Sequence, residues 1–298
     1  MNGVFEMIDY KQIIKNRELR LQLIKLLSFI PDKPYLKLVY WIKTGKKLNL
    51  KNPEGFNEKL NWLKLNKIHP EYTELVDKLS VRKYISETIG EDALFPLLGS
   101  WDRFEDIDFD SLPDKFVLKC NHDSGSVKII NDKKSIDKKE LSAFFDRRLK
   151  LNAFCLGREY PYKNVKPKIM AEAFMETPDG QGLNDYKFFC FNGKPEILFV
   201  ATDRSTDVKF DFFDMDFNHL DIYNIHEQSG KEIPKPACFE QMKEIAAKLT
   251  KGMEFVRLDL YEIDGHIYFG EFTFFHGGGY YLFHPEHWEK DLGDLIET

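Results

Sequence analysis

Close pairs of cysteines are missing from this 298-residue sequence. Its four cysteines, Cys120, Cys155, Cys190 and Cys238, stand far apart, which excludes the usual zinc-wrapping motifs; with no secretory leader read ahead of them, reduced thiols in a cytoplasmic protein are expected. Also absent is any uncharged apolar run of about 18 residues, so no bilayer-spanning helix is expected. There is no internal repeat, no low-complexity linker and no Walker-type phosphate loop. A surplus of positive charge is lacking too. The net charge is −6, and no basic stripe interleaved with aromatics continues past residue 51, which argues against nucleic acid as a partner.

What is present describes a folded chain. Hydrophobic residues at 43%, aromatics at 14% and charged residues at 31% separate it from disordered sequences, which lack aromatics, and its length suffices for one large or two ordinary domains. The charge is uneven. Through Lys51 there are eleven basic residues against four acids, so the first sixth is basic and the remainder strongly acidic. Two readings of the Leu/Ile-rich stretch from Leu19 to Ile30 stay open: a helix packed on the body with its lysines in water, or an interfacial helix on an anionic membrane surface.

Apolar spacing of three and four in Leu21, Ile24 and Leu27, and again in Leu60 and Leu63, predicts helices over residues 1–95, divided by Pro31, Pro34, Pro53 and Pro70. From Phe116 the period shortens to two, with FVLKC and VKII forming a hairpin around the loop NHDSGS. Asp137 with Glu140 opens a helix to Leu149, and a long loop carrying EYPYKNVKP follows. Strands are predicted at KIMAEAF, DYKFFCF, EILFVAT and KFDFFD, with a tight turn at Asn192-Gly193. Pro236 and Gly252 bracket a helix. EFVRLDLYEI and HIYFGEFTFF then form a second hairpin about Asp264-Gly265, ahead of HGGGYYLFHP and a short final helix.

Three constellations carry chemistry. Arg257 and Asp259 alternate with apolar residues on one strand of the last hairpin, as Glu271 and Thr273 do on the other, and period-two alternation puts each pair on one face. If the face is shared, two carboxylates meet, which favours a cation between them, and hard oxygens suit Mg²⁺. The alternative is that these residues face water. Lys119, the turn residues Ser124, Gly125 and Ser126, and Lys128 make a weak phosphate-holding pattern. Glu172, Ala173, Phe174 and Met175 end an apolar strand as a possible hinge against a base edge, and Asp185 and Lys187 share a face of the next strand.

In order along the chain, NPEGFNEKLNWLKL, VLKCNHDSGSV, GREYPYKN, DYKFFCFNGK and VRLDLYEIDGHIYFGE resemble the ATP-grasp superfamily, and within it the teichuronopeptide-biosynthesis (TupA-like) branch, from about residue 50 to the C-terminus. The resemblance implies an α+β fold: two α+β subdomains gripping ATP, at 96–171 (phosphate loop) and 172–298 (metal site and acceptor loop), after a helical region at 1–95 whose first fifty residues are basic. It implies ATP and Mg²⁺ as cofactors. Lys119 and the loop Ser124 to Ser126 would hold phosphates, Glu172 through Met175 the adenine, and Asp185 the ribose. Lys187 would lie near the transferred phosphate, Arg257 would stabilise developing charge, and Asp259 and Glu271 would hold the metal. Thr273 stands where the superfamily usually has an asparagine ligand. His276, in the loop that orients the acceptor, is a candidate base. The implied reaction is ligation of a carboxylate to an amine through an acylphosphate in bacterial cell-surface polysaccharide synthesis, on a small-molecule or lipid-linked sugar, in the cytoplasm or at the inner membrane face. Rival readings are a glycosyltransferase using Asp214-Met215-Asp216, a kinase of the same fold, and a nucleotide-binding module without turnover.

Overall fold

A computed structural model describes residues 29–176, 183–202 and 207–298 of the chain. The basic stretch before residue 29, with most of the Leu19 to Ile30 segment, lies outside the described residues. Two antiparallel sheets organise the rest. The first has four strands in the order β1-β4-β2-β3, with β1 Leu97–Trp101, β2 Phe116–Cys120, β3 Lys128–Ile130 and β4 Ile169–Ala173. The second has six in the order β10-β9-β5-β6-β7-β8, with β5 Asp185–Phe191, β6 Lys194–Thr202, β7 Lys209–Asp214, β8 His219–Leu220, β9 Phe255–Ile263 and β10 His266–Thr273. β4 carries the first sheet to Ala173, two residues past the division expected at 171/172.

Helices precede and cover the sheets. α1 Asp32–Thr44, α2 Phe56–Asn66, α3 Tyr72–Val76 and α4 Val81–Ile89 come first. Pro34 does not divide the chain as expected; it sits in the first turn of α1, where a missing N–H costs nothing. Glu58 fixes the entry to α2 by accepting from the backbone N–H groups of Asn49, Glu54 and Gly55. α5 Lys138–Leu149 starts where predicted, its N-terminus capped by the Asp137 carboxylate on the N–H groups of Lys139 and Glu140. α6 Phe154–Gly157 is a single turn, α7 Phe239–Leu249 lies between Pro236 and Gly252, and α8 His287–Asp294 closes the chain.

Each sheet has one dry face. Phe116, Leu118, Cys120, Ile169 and Ala171 of the first sheet pack with Phe145 of α5. On the second, Phe188 stacks on Phe239 of α7 at 6.0 Å between ring centroids. Its opposite face is apolar at one end, where Phe189 and Phe255 meet Phe56 of α2 and Phe283. At the other end that face turns polar, and there the candidate site lies.

Candidate active site

Register decides which side chains meet. Glu271 pairs with Asp259, Asp259 with Lys187, and Lys187 with Phe199, so one row crosses β10, β9, β5 and β6. Thr273, Arg257 and Phe189 form the next row, and Tyr261 with Asp185 the row on the other side. Residues directly opposite on neighbouring strands share a face. Arg257, Asp259, Glu271, Thr273, Asp185 and Lys187 therefore point the same way; the alternation alone leaves open whether the two strands of the hairpin share a face, and does not join Asp185 and Lys187 to it.

A bulge makes this possible. From His266↔Ile263 to Phe269↔Leu260 the hairpin keeps the register set by its two-residue turn, which would pair Gly270 with Asp259 and turn Glu271 to the far face. Instead the register shifts between Phe269 and Glu271, and Gly270 is the extra residue. A Cβ there would lie 2.9 Å from the Asp259 carbonyl oxygen and 2.9 Å from the Tyr261 ring. Only glycine lets the strands approach so closely.

The carboxylates are held by cations of the protein itself. Arg257 grips Asp259 with two parallel bonds, Nε to Oδ1 at 2.7 Å and a terminal nitrogen to Oδ2 at 2.8 Å. It also reaches the Thr273 hydroxyl at 3.0 Å and Glu271 at 3.4 Å. Lys187 bridges Asp259 and Asp185, the latter at 2.6 Å. Burial works to raise the Asp259 pKa, but the charges of Arg257 and Lys187 outweigh it and hold the carboxyl below its ordinary range.

His276 stands behind Arg257. Its Nδ1 accepts from Arg257 at 3.1 Å, and its Nε2 lies 2.9 Å from Asn224 Oδ1. The Asn224 amide donates to the carbonyls of Tyr281 and Leu282, which turns its oxygen to the ring and sets the proton on Nε2. Burial and then the nearby Arg257 charge push the imidazole pKa well below its usual value. Both ring nitrogens are thus engaged inside the protein, an arrangement that suits holding Arg257 rather than the base work expected of His276. Three consecutive glycines follow, Gly277 to Gly279 with φ of 58°, 67° and 72°, a left-handed run that other residues resist. Lys64 and Asn61 of α2 donate to the carbonyls of Gly278 and Gly279 at 2.6 and 2.7 Å, fixing this loop from outside.

The first sheet carries a second charged cluster. Lys119 and Glu172 lie on its open face and pair at 2.5 Å, with Arg82 of α4 3.8 Å from the same carboxylate. Lys78, just before α4, donates to the Asp123 carbonyl at 2.8 Å. Burial lowers its pKa, opposed by the charge of Glu271 on the second sheet and reinforced by Lys119. Electrostatically, then, Lys78 senses both sheets.

Other predicted residues fall differently. Lys128 pairs with Leu118, not Lys119, so it occupies the helix side of the first sheet, its ammonium 4.6 Å from the Phe144 ring centroid; the expected phosphate contact is corrected by this register. The Ser126 side chain turns inward, its hydroxyl donating to Asp123 at 2.5 Å and accepting from Cys120 N–H at 2.8 Å. Arg148 ties down the same loop through Asp123 and the Ser124 carbonyl. Ser124 and Gly125 remain exposed at its tip. Glu172, the last residue but one of β4, has its side chain in the Lys119 pair, the Ala173 N–H is taken by the Pro96 carbonyl at 2.9 Å, and Phe174 and Met175 follow half-buried. Asp214 is three strands from Arg257 and closes its own turn by accepting from Asp216, Asn218 and the Asn218 amide.

Lys78, Arg82 and Asn224 were missed in the sequence. Arg82 sits in a stretch read only as helical, with Lys78 just ahead of its helix, and Asn224 is in a loop; no period marks their direction. Among the described residues no three His, Cys, Asp or Glu side chains form a ready metal cage. The oxygens of Asp259, Glu271 and Thr273 nonetheless suit Mg²⁺, which usually takes one or two carboxylates and completes its shell with water and phosphate.

No curated protein matches the chain. Among solved structures it is similar to D-alanine–D-alanine ligase from Bacillus anthracis, at 19% identity over 67% of this chain and 56% of that one, with a TM-score of 0.40. Similar too are D-alanine–D-alanine ligase from Helicobacter pylori (17%, 75% and 61%, 0.38) and phosphoribosylamine–glycine ligase from Thermotoga maritima (13%, 68% and 48%, 0.37). The chain spans less than two thirds of the length of each. The model of the family described as TupA-like ATP-grasp matches residues 58–297. The chain therefore belongs to the TupA-like ATP-grasp family.

Proposed function

We propose that the chain joins a carboxylate to an amine at the expense of ATP, through an acylphosphate. The observation that carries the reading is the Glu271-Asp259-Lys187 row with Arg257 on the second sheet, beside which the first sheet offers Lys119 and Arg82 about Glu172, with Lys78 feeling the charges of both Glu271 and Lys119. The cations about the first sheet suit phosphate oxygens, the row on the second a metal-bound phosphate in transfer. Mg²⁺, held by Asp259 and Glu271 with Thr273 at the rim, would supply charge neutralisation on the phosphates. Arg257, fixed by Asp259 and His276, faces the charge that develops on the transferred group. Ile129, exposed on the open face of the first sheet beside Lys119, offers an apolar patch to a base ring.

In the first step an oxygen of the substrate carboxylate bonds to the γ-phosphorus and ADP leaves with the electron pair. In the second the amine nitrogen bonds to the acyl carbon, phosphate leaves, and the proton lost by nitrogen accompanies it. No protein nucleophile is needed; positioning and charge stabilisation suffice. For substrates we propose a uronic acid or amino acid carboxylate and an amine, in bacterial cell-surface polysaccharide synthesis on a lipid-linked sugar at the cytoplasmic membrane face; of this, the family name suggests the polysaccharide setting alone.

Thermal-shift panels of ATP, ADP and UDP-sugars with Mg²⁺ test the first half, because a ligand of the native state raises its melting temperature. ATP should stabilise the parent, and the shift should vanish in Lys119→Ala and Glu271→Ala. A shift with UDP-sugars alone would overturn it. ADP release that needs both a carboxylate and an amine supports ligation; release with a sugar hydroxyl and no amine would make the enzyme a kinase.

A further inference from the structure

α1 has two unlike faces. Inward, Tyr35, Leu36 and Tyr40 are buried in a small core with Leu48 and Tyr280. The helix is clamped to the body: the Tyr35 hydroxyl donates to the carbonyls of Cys155 and Leu156 at 3.2 and 3.1 Å, Asp32 pairs with Arg158 at 3.2 Å, and the Lys43 ammonium lies 4.5 Å from the Tyr280 ring centroid. Outward, at positions three and four apart, Leu38, Trp41 and Ile42 are 39%, 57% and 43% exposed. That is where a helix on a soluble surface ordinarily carries polar side chains. Phe29, before the helix, is 82% exposed.

The charges carried by the helix and the segment after it are mostly basic, with Lys46 held by Glu286. Lys33 and Lys37 are exposed on the helix, Lys47 and Lys51 on the segment after it, and Asp32, the helix's one acid, is held by Arg158. A tryptophan among aliphatics, ringed by lysines on a fixed helix, matches the chemistry of the boundary between acyl chains and anionic headgroups, where indole rings collect and lysine stems reach outward. A protein partner would need an apolar patch rimmed with acids; the bilayer supplies both halves of that complementarity over any area.

We infer that the outward face of α1, centred on Leu38, Trp41 and Ile42, docks this enzyme on an anionic phospholipid surface. Because α1 packs on Tyr280, next to the glycine loop, docking would set the candidate site close to the headgroups. The inference stands independently of the nucleotide reading, since neither Lys119 nor Glu271 takes part.

The test is co-sedimentation of the full chain with phosphatidylcholine vesicles, with and without about one third phosphatidylglycerol. Parent protein should pellet only with the anionic vesicles and be released by salt, as screening requires. The triple variant Leu38→Ser/Trp41→Ser/Ile42→Ser, altered only at solvent-facing positions, should keep its melting temperature and lose binding at least tenfold. Lys33→Glu/Lys37→Glu should weaken it roughly fivefold or more per lysine removed. Absence of binding by the parent overturns the inference. So does undiminished binding by the triple variant, which would assign contact to another segment. A parent that dimerises without lipid and stays off vesicles, while the triple variant is monomeric, would assign the face to a second copy of the chain.

Discussion

Replacing His276 by leucine separates two roles for this residue. The ring accepts from Arg257 at 3.1 Å and lies 2.9 Å from Asn224 Oδ1; leucine fills similar space and does neither. Losing a hydrogen bond to a charged group costs ~1.5–3 kcal/mol, and an unsatisfied buried oxygen on Asn224 adds ~1–3 kcal/mol. Stability should fall by a few kcal/mol, read as a lower Tm. If Arg257 depends on the ring for its aim, kcat should fall roughly 10–100-fold, about 1.4–2.8 kcal/mol of barrier. ATP affinity should stay within about a factor of two, because the proposed nucleotide contacts are on the other sheet. His276→Asn, whose side-chain oxygen can stand in for Nδ1, should restore much of kcat. A pH series adds a second check. The folded pKa is depressed by burial and then by Arg257, so the unfolded chain takes up this proton first. Stability from His276 is therefore complete above about pH 6.5 and declines as pH falls below it, by at most ~1.4 kcal/mol per unit. The Asn variant should lack that contribution. The reasoning is refuted if Leu lowers Tm while kcat stays at the parent value. An acidic limb in kcat near pH 6.5 that disappears in both variants would instead restore His276 as a base.

Lys78→Ala should weaken ATP binding much as Lys119→Ala does, both measured by nucleotide titration, because each lysine belongs to the charged cluster about the first sheet. Lys128→Ala should leave ATP affinity unchanged and cost only ~0.5–1 kcal/mol of stability, the worth of its contact with Phe144; a tenfold loss of affinity would place Lys128 back in the site. Gly270→Val should abolish turnover and lower Tm, since its side chain meets the Asp259 carbonyl and overpacking costs ~1–3 kcal/mol. An active, equally stable Gly270→Val would mean that the bulge does not govern where Glu271 points.

How much of this was legible in the sequence differs from strand to strand. The hairpin of β9 and β10 announced itself, because alternation runs through VRLDLYEI and Asp264-Gly265 fixes the turn. Yet strict extension of that turn's register would have put Glu271 on the wrong face. A glycine inside a strand pattern is the local mark of a bulge, and Gly270 was that mark. For β2 and β3 the seven-residue connection fixes no register, so nothing before the structure could tell that Lys128 and Lys119 lie on opposite faces. Arg82 and, just before it, Lys78 lie in or beside a helix ahead of the first sheet, and their direction comes from tertiary packing alone. His276 was visible as a residue but not as a partner, since Asn224 reaches it across 52 positions.

The family match begins at residue 58, while the described fold does not. Tyr280, at the end of the glycine loop, is covered by Tyr35, Leu36 and Tyr40, residues that precede the match. Arg158, within the matched span, lies with its guanidinium carbon 4.1 Å from the centroid of the Tyr35 ring. The matched span and the hydrophobic packing thus have different borders in this protein. Trimming the chain to residues 58–297 would cut through this hydrophobic cluster and remove the side chains that cover Tyr280, so a segment outside the matched span bears on the packing beside the loop that holds His276.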